Sequence, residues 1–204
     1  MIAALYVETN GAYFGLPDVD PWDIKRDARK YAGPYPVVAH PPCSRWCQLA
    51  HVNQKRYGQR VGDDGGCFAA ALKAVRAWGG VLEHPAYSYA WAAHGLPAPI
   101  SGLGWQRDIH GGWSCEVSQC AYGHPAQKLT WLYCVGVAPP ALDWSRPTPT
   151  ATVSFLTNHG GGDLPRLSKK KASATPPAFR EILISMARGA YGDRNEPSFH
   201  GGGV

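Results

Sequence analysis

Short apolar runs, separated by stretches rich in glycine and proline, set the pattern of this chain. Ile2 to Val7 is the first run and reads as a strand. Pro36 to Ala39 is the second, and its β-branched residues mark it as a buried strand. Cys67 to Trp78 changes the period: Phe68, Ala71, Leu72, Val75 and Trp78 fall on one stripe at spacings of three and four, which predicts a helix. Gly65-Gly66 precedes this helix, Gly79-Gly80 ends it, and Val81-Leu82 begins the next strand. These three elements form a strand–helix–strand unit, expected to be a right-handed parallel crossover.

Elsewhere the pattern is weaker. Pro21 to Tyr31 reads as a short helix, with Pro21 tolerated in its first turn. Ser44 to Arg60 is polar and reads as a loop, as do most of residues 86–113 and 138–165. Leu132 to Val137 is a further strand candidate. Ser168-Lys169-Lys170-Lys171 reads as a solvated basic turn. A last helix is expected after Thr175-Pro176-Pro177, with Thr175 as its N-cap and Phe179, Ile182, Leu183 and Met186 as its apolar face. The expected organisation is one α/β domain over residues 1–190, followed by a disordered tail over 191–204 that ends in Gly201-Gly202-Gly203-Val204.

Composition narrows the class. Hydrophobic residues make up 45% of the 204 positions, enough for a packed core in one domain. Only 17% are charged, while 24 glycines and 18 prolines call for many turns. A net charge of +5 is compatible with a nucleic acid or nucleotide partner but too small to demonstrate one. Eight tryptophans and ten tyrosines add surfaces on which a base could stack. No apolar run reaches membrane-spanning length, and the first residues lack the basic and apolar parts of a signal peptide. The six cysteines are therefore expected to be free or metal-bound thiols in a cytoplasmic protein with no membrane partner.

The candidate chemistry lies at two strand ends. Pro41-Pro42-Cys43 directly follows the second strand, and Glu83-His84-Pro85 ends the third, forty positions after the thiol. Open α/β sheets carry their sites at the carboxyl ends of such strands. A thiol held beside two prolines can add to an electron-poor ring carbon. Pyrimidines need this, because position 5 becomes nucleophilic only after addition at position 6. A carboxylic acid at the ring nitrogen makes position 6 electrophilic, and Glu83 is placed for that role. Arg45, two residues beyond the thiol, could hold a phosphate or favour the thiolate.

Taken together, these segments resemble the cytosine-C5 DNA methyltransferases. In that family a Pro-Pro-Cys motif supplies the nucleophile and a Glu-Asn-Pro/Val motif the acid, at a similar separation. Asp63-Asp64-Gly65-Gly66-Cys67-Phe68 resembles the family's lead into the intervening helix. Gln119 to Lys128 is similar to its Tyr-Gly-x-Pro-Gln-x-Arg-x-Arg block, and Ala174-Thr175-Pro176-Pro177 to its last motif. The resemblance spans residues 36–188 and implies a compact, phage-like member. Its expected fold is a trimmed, Rossmann-like, largely parallel sheet with long Gly/Pro-rich loops.

The implied catalytic residues are Cys43 and Glu83, with Pro41, Pro42, Arg45, Lys128 and Thr130 at the substrate. The implied substrate is DNA or a pyrimidine nucleotide. S-adenosylmethionine is the implied cofactor, bound near Asn10, Gly11, Thr175 and Pro176, with Asp18 or Asp20 toward its ribose. The chain departs from the family in two places. The glycine-rich cofactor loop retains only Gly11 and Gly15, and residues 138–165 are all that remains for a target-recognition region.

Two other readings stay open. His40, Cys43, Cys47 and His51 offer four zinc-ligand types at close spacing, although not the spacing of a common knuckle. The chain could also be a degenerate methyltransferase fold that binds DNA or a partner without catalysis.

Overall fold

The computed structural model describes residues 1–153 and 164–195. Among these, seven strands form one mixed sheet: β1 (Ile2–Leu5), β2 (Val19–Trp22), β3 (Val37–Ala39), β4 (Gly80–Pro85), β5 (Gln106–Arg107), β6 (Trp113–Ser118) and β7 (Leu129–Val135). The helices are α1 (Ala50–Tyr57), α2 (Cys67–Trp78), α3 (Tyr89–Ala93), α4 (Lys169–Ser173) and α5 (Pro177–Asn195). No described helix is long and apolar enough to cross a membrane.

The sheet order is β2-β1-β3-β4-β7-β6-β5. The pairings on the β2 side, out to β4, are parallel; those from β4 through β7 and β6 to β5 are antiparallel. The expectation of a largely parallel sheet therefore holds for one half only. Parallel neighbours need a crossover, which α2 supplies between β3 and β4, whereas β6 and β7 are joined directly and so run opposite ways.

Two layers cover the sheet. On one face α2 and α3 pack Phe68, Leu72, Val75 and Trp91 against Leu5, Val37, Leu82 and Tyr133. On the other, α5 packs Phe179, Leu183, Ile184 and Met186 against Ile2, Val38, Val81 and Leu132. Alternate residues of each central strand face opposite layers, as the two-residue repeat of a strand requires. The close approach of β3 and β4 depends on Gly80. Its φ is +112°, and a Cβ there would lie 2.0 Å from the Val37 carbonyl oxygen.

The helix predicted over Cys67–Trp78 forms with those bounds. Other segments differ from expectation. Pro21 to Tyr31 is not a helix: β2 takes its first part, and a 3-10 turn over Ala28–Lys30 follows, capped by the Asp27 side chain. β2 is an edge strand, where a proline without an N–H is tolerated. The polar 44–60 loop contains α1, closed by Gly58 in the left-handed region. The 86–113 stretch contains α3, which Ser88 caps through the Ala90 N–H, and the short β5. The lysine run begins a short helix, capped by Ser168, rather than a turn. α5 starts at Pro177, with the Pro176 carbonyl accepting its first helical bond from Arg180, so Thr175 precedes the cap position. It runs on to Asn195, into the expected tail; residues 196–204 lie outside the described residues, as do 154–163 of the expected 138–165 loop.

Candidate active site

β1, β3 and β4 run parallel, so their carboxyl ends share one edge of the sheet. β4 and β6 both oppose β7, so β6 also ends at that edge and β7 begins there. Chain order reverses between β1, which is followed by β2 on one side, and β3 on the other. Ligands of open α/β sheets sit in the crevice at such a reversal. Four segments meet along this edge: His40 to Cys43 after β3, Glu83-His84 on β4, Gln119 after β6, and Lys128 to Thr130 leading into β7.

Glu83 is 8% exposed and has donors on both oxygens. His40 Nδ1 lies 2.9 Å from Oε2, and Gln119 Nε2 donates to Oε1 at 3.1 Å. Gln119, fully buried, also donates from Nε2 to Thr130 Oγ1 at 2.9 Å. Burial alone would push the Glu83 carboxyl up. The His40 hydrogen bond and the Lys128 charge are the leading influences against it, and the group is held at about 2. At neutral pH the resting Glu83 is a carboxylate.

Cys43 begins a tight turn in which its carbonyl accepts the N–H groups of Trp46 and Cys47. Trp46 is anchored in turn. Its indole N–H donates to Asp64, its carbonyl accepts the Tyr89 N–H, and Asp64 also accepts the N–H groups of Gly66 and Phe68 where α2 starts. Burial, then the neighbouring Cys47 and Glu83, push the Cys43 thiol up to about 11, with Lys128 opposing. The resting nucleophile is a protonated thiol beside an ionised carboxylate. His84, between Phe68 and Trp91, is held neutral: burial lowers it to about 4 against the pull of Glu83 and the Pro42 backbone.

The structure brings Cys43, Glu83, Lys128 and Thr130 to one place, with Pro41 buried and Pro42 exposed beside them. Lys128 acts on both reactive groups through space, while its Nζ donates to the carbonyls of Ser173 and Ala174. It, rather than Arg45, is the cation acting most strongly on the thiol; Arg45 Nη1 lies buried without a hydrogen-bond partner.

The expected cofactor residues fall on two neighbouring segments. Asn10, at φ +55°, and Gly11 form the turn after β1, where a Cβ on Gly11 would meet the Glu8 carbonyl oxygen at 2.8 Å. Thr175 and Pro176 lead into α5, whose Arg180 donates to the Ala12 carbonyl at 2.8 Å. The acid at the carboxyl end of β2 is Asp23, not Asp18 or Asp20. Asp23 is buried and accepts from Thr9 Oγ1 at 2.6 Å. Asp20 is taken up by Arg26 and the Trp22 indole, and Asp18 sits ahead of β2 at φ +57°.

His40, Cys43, Cys47 and His51 are not gathered into one ligand group. Among the described residues no three His, Cys, Asp or Glu side chains converge to hold a metal. Both ring nitrogens of His40 are already engaged, with Tyr13 and Glu83, and His51 packs edge-on against Tyr89.

Sequence reasoning missed Tyr13, Gln119 and Asp23, and weighed His40 only as a metal ligand. A histidine three residues ahead of a candidate nucleophile and an acid closing an edge strand were available signals. A glutamine fully buried at a turn was not. Comparisons of the chain with protein-family models, with curated proteins and with solved structures returned no match.

Proposed function

We propose that this protein modifies a pyrimidine, most readily a cytosine of DNA or a nucleotide, through a transient bond from Cys43 to ring carbon 6. The observation that carries this reading is the meeting of one thiol and one buried carboxylate at the ends of the adjacent parallel strands β3 and β4. The reversal of strand order between β1 and β3, directly beside them, supports the finer reading of the fold as a trimmed Rossmann-like sheet of the methyltransferase type.

The first step balances without any added reactant. Cys43 Sγ forms a bond to carbon 6, the ring double bond shifts toward carbons 4 and 5, and ring nitrogen 3 gains a proton. That proton is the one the thiol gives up, and Glu83 is the group between them: as a carboxylate it receives the proton, and as an acid it delivers it. Thiol and carboxylate resist ionising together, so the thiol becomes nucleophilic only as Glu83 is neutralised. The site is thereby quiet until a base with an acceptor nitrogen arrives. Lys128 borders the base position, whereas Thr130, expected there too, is fully buried and holds Gln119 instead; a base from a duplex must be flipped out to reach the site.

The residues around the β1 turn fit S-adenosylmethionine. Gly11 lets the turn close on the Glu8 carbonyl, Asp23 retains acceptor capacity for ribose hydroxyls, and the helix that Thr175-Pro176 leads into bonds back to that turn through Arg180. When bound, it supplies an electrophilic methyl group for carbon 5. The chain's own contribution is to present that turn at the same sheet edge as Cys43.

Covalent trapping tests the proposal. The protein is mixed with DNA containing 5-azacytosine, with and without S-adenosylmethionine, and intact mass is read under denaturing conditions. The expected result is an adduct of one DNA strand with wild type and at least ~10³-fold less with Cys43→Ser, in line with loss of a covalent nucleophile. Adduct formation that survives Cys43→Ser would sink the assignment, as would its absence from wild type in both conditions.

A further inference from the structure

The Glu83 carboxylate is the middle of a longer hydrogen-bonded chain. Tyr13 Oη lies 2.8 Å from His40 Nε2, His40 Nδ1 2.9 Å from Glu83 Oε2, Glu83 Oε1 3.1 Å from Gln119 Nε2, and Gln119 Nε2 2.9 Å from Thr130 Oγ1. These five side chains span the edge from the turn after β1 to the start of β7. The two oxygens of Glu83 differ in what holds them. Gln119 can only donate through Nε2 and does not titrate. His40 can hold one proton or two. Of the two groups bonded to the carboxylate, only His40, at Oε2, can therefore pass a proton or take one away.

We propose that His40, oriented by Tyr13, is a positioning residue that sets the charge on Glu83 and so decides when the site can add Cys43 to a pyrimidine; this rests on the function proposed above. The geometry serves two protonation states without moving a side chain. With His40 neutral, Nδ1–H donates to Oε2 and the Tyr13 hydroxyl donates to Nε2. With His40 protonated, Nε2–H donates to the Tyr13 oxygen instead. Tyr13 is 3% exposed, and burial followed by the Glu83 charge pushes its hydroxyl up, so it keeps its own proton. Tyr13 lies between Gly11 and Gly15, in the turn assigned above to the cofactor. The same chain therefore ties the acid to the fold of that turn.

The charged and titratable groups around Glu83 come from every neighbouring element. They are His40 and Cys43 after β3, His84 on β4, Lys128 ahead of β7 and Tyr13 after β1, with Arg180 and Glu181 of α5 acting on Tyr13. The His40 hydrogen bond is the largest influence opposing burial. Without it burial is opposed chiefly by Lys128 acting through space, and the carboxyl rises.

The chain has five glutamates, so selective ¹³C labelling of glutamate side chains gives few carboxyl signals, and Glu83→Gln assigns the one of interest. In wild type the Glu83 signal should not titrate above pH 4. In His40→Ala it should titrate above pH 5. In His40→Gln, whose amide can donate to Oε2 but has no titratable proton, it should fall between the two, and Tyr13→Phe should move it least.

Trapping rates supply the functional readout. Wild type should be level between pH 5.5 and 8. His40→Ala should fall about tenfold from pH 8 to 5.5, because a protonated Glu83 cannot accept the thiol proton. A Glu83 signal that titrates as in wild type in both His40 variants overturns the assignment. So does a His40→Ala trapping profile that is lower but parallel to wild type, which marks a merely structural role. If wild type gives no adduct while the Glu83 signal moves as stated, the pyrimidine reading falls and the hold of His40 on Glu83 stands.

Discussion

Two buried carboxylates flank β7, one from each half of the sheet, and they are held in opposite ways. Glu116 on β6 accepts the Trp131 indole N–H at 3.0 Å and the Arg146 guanidinium, with its own side chain 1% exposed. Those donors keep their protons at any ordinary pH, so neither can hand one to Glu116. Glu83 on β4 is held by a histidine and a neutral amide, with a thiol close by and Lys128 acting only through space. Equal burial thus gives different capacities. A carboxylate saturated by permanent donors is a structural pin. One held by a titratable donor, beside a group with a proton to give, is equipped for transfer.

The sharpest way to break this contrast is to neutralise each acid in turn. Glu83→Gln should lower the trapping rate about 10³-fold, within the usual range for a positioned acid–base group. Glu116→Gln should leave the rate within about threefold. Stability should respond the other way. Glu116→Gln sets an amide against two donors and should cost about 2 kcal/mol in urea unfolding. Glu83→Gln, with His40 and Gln119 able to rearrange around it, should cost less. Equal losses of trapping in the two variants would erase the distinction.

The difference between the halves also decided what could be read in advance. In the parallel half, buried strands are continuous apolar runs, and Val37-Val38-Ala39, the stripe on α2 and Val81-Leu82 announce themselves. Cys43 and Glu83 were found because they directly follow or end those runs. β6 hides, since Ser114, Glu116 and Ser118 are all buried within it. Polar side chains can be buried when their bonds are met across strands, and periodicity does not register those bonds. Gln119 is concealed in the same way: its partners, Glu83 and Thr130, are 36 and 11 residues away in sequence. β2 and α1 were missed for want of pattern, one being an edge strand containing Asp20 and Pro21 and the other mostly exposed. The acid–thiol pair was thus available from sequence, while the groups that tune it depended on long-range pairing.

A smaller effect separates the two cations. Arg146 touches its carboxylate, so Arg146→Ala leaves Glu116 buried with the indole alone. Losing one partner of a buried pair is costly, but the Arg146 side chain is 42% exposed and water offsets part of the loss. Chemical unfolding should show a decrease of about 1–2 kcal/mol, and the pH profile of Cys43 alkylation should not move. A shifted Cys43 profile would mean that the two carboxylates are coupled across β7, contrary to their separate sets of partners.

Lys128 should give the smallest and most specific response. It lowers both the Glu83 carboxyl and the Cys43 thiol without bonding either, its Nζ being tied to the carbonyls of Ser173 and Ala174. Removing its charge in Lys128→Met should therefore raise both groups, Glu83 from about 2 and Cys43 from about 11. Below its titration the thiol reacts in proportion to its thiolate fraction, so alkylation of Cys43 by iodoacetamide at pH 8.5, followed by peptide mass, should slow about two- to fourfold. Because the interaction acts through space near a partly exposed amine, 1 M salt should shrink the gap between wild type and variant. Unfolding stability should change little. A slowing that salt leaves untouched would locate the role of Lys128 in its bonds to Ser173 and Ala174, as a tether of the segment before α5, and would leave His40 as the one group that adjusts the charge of the site.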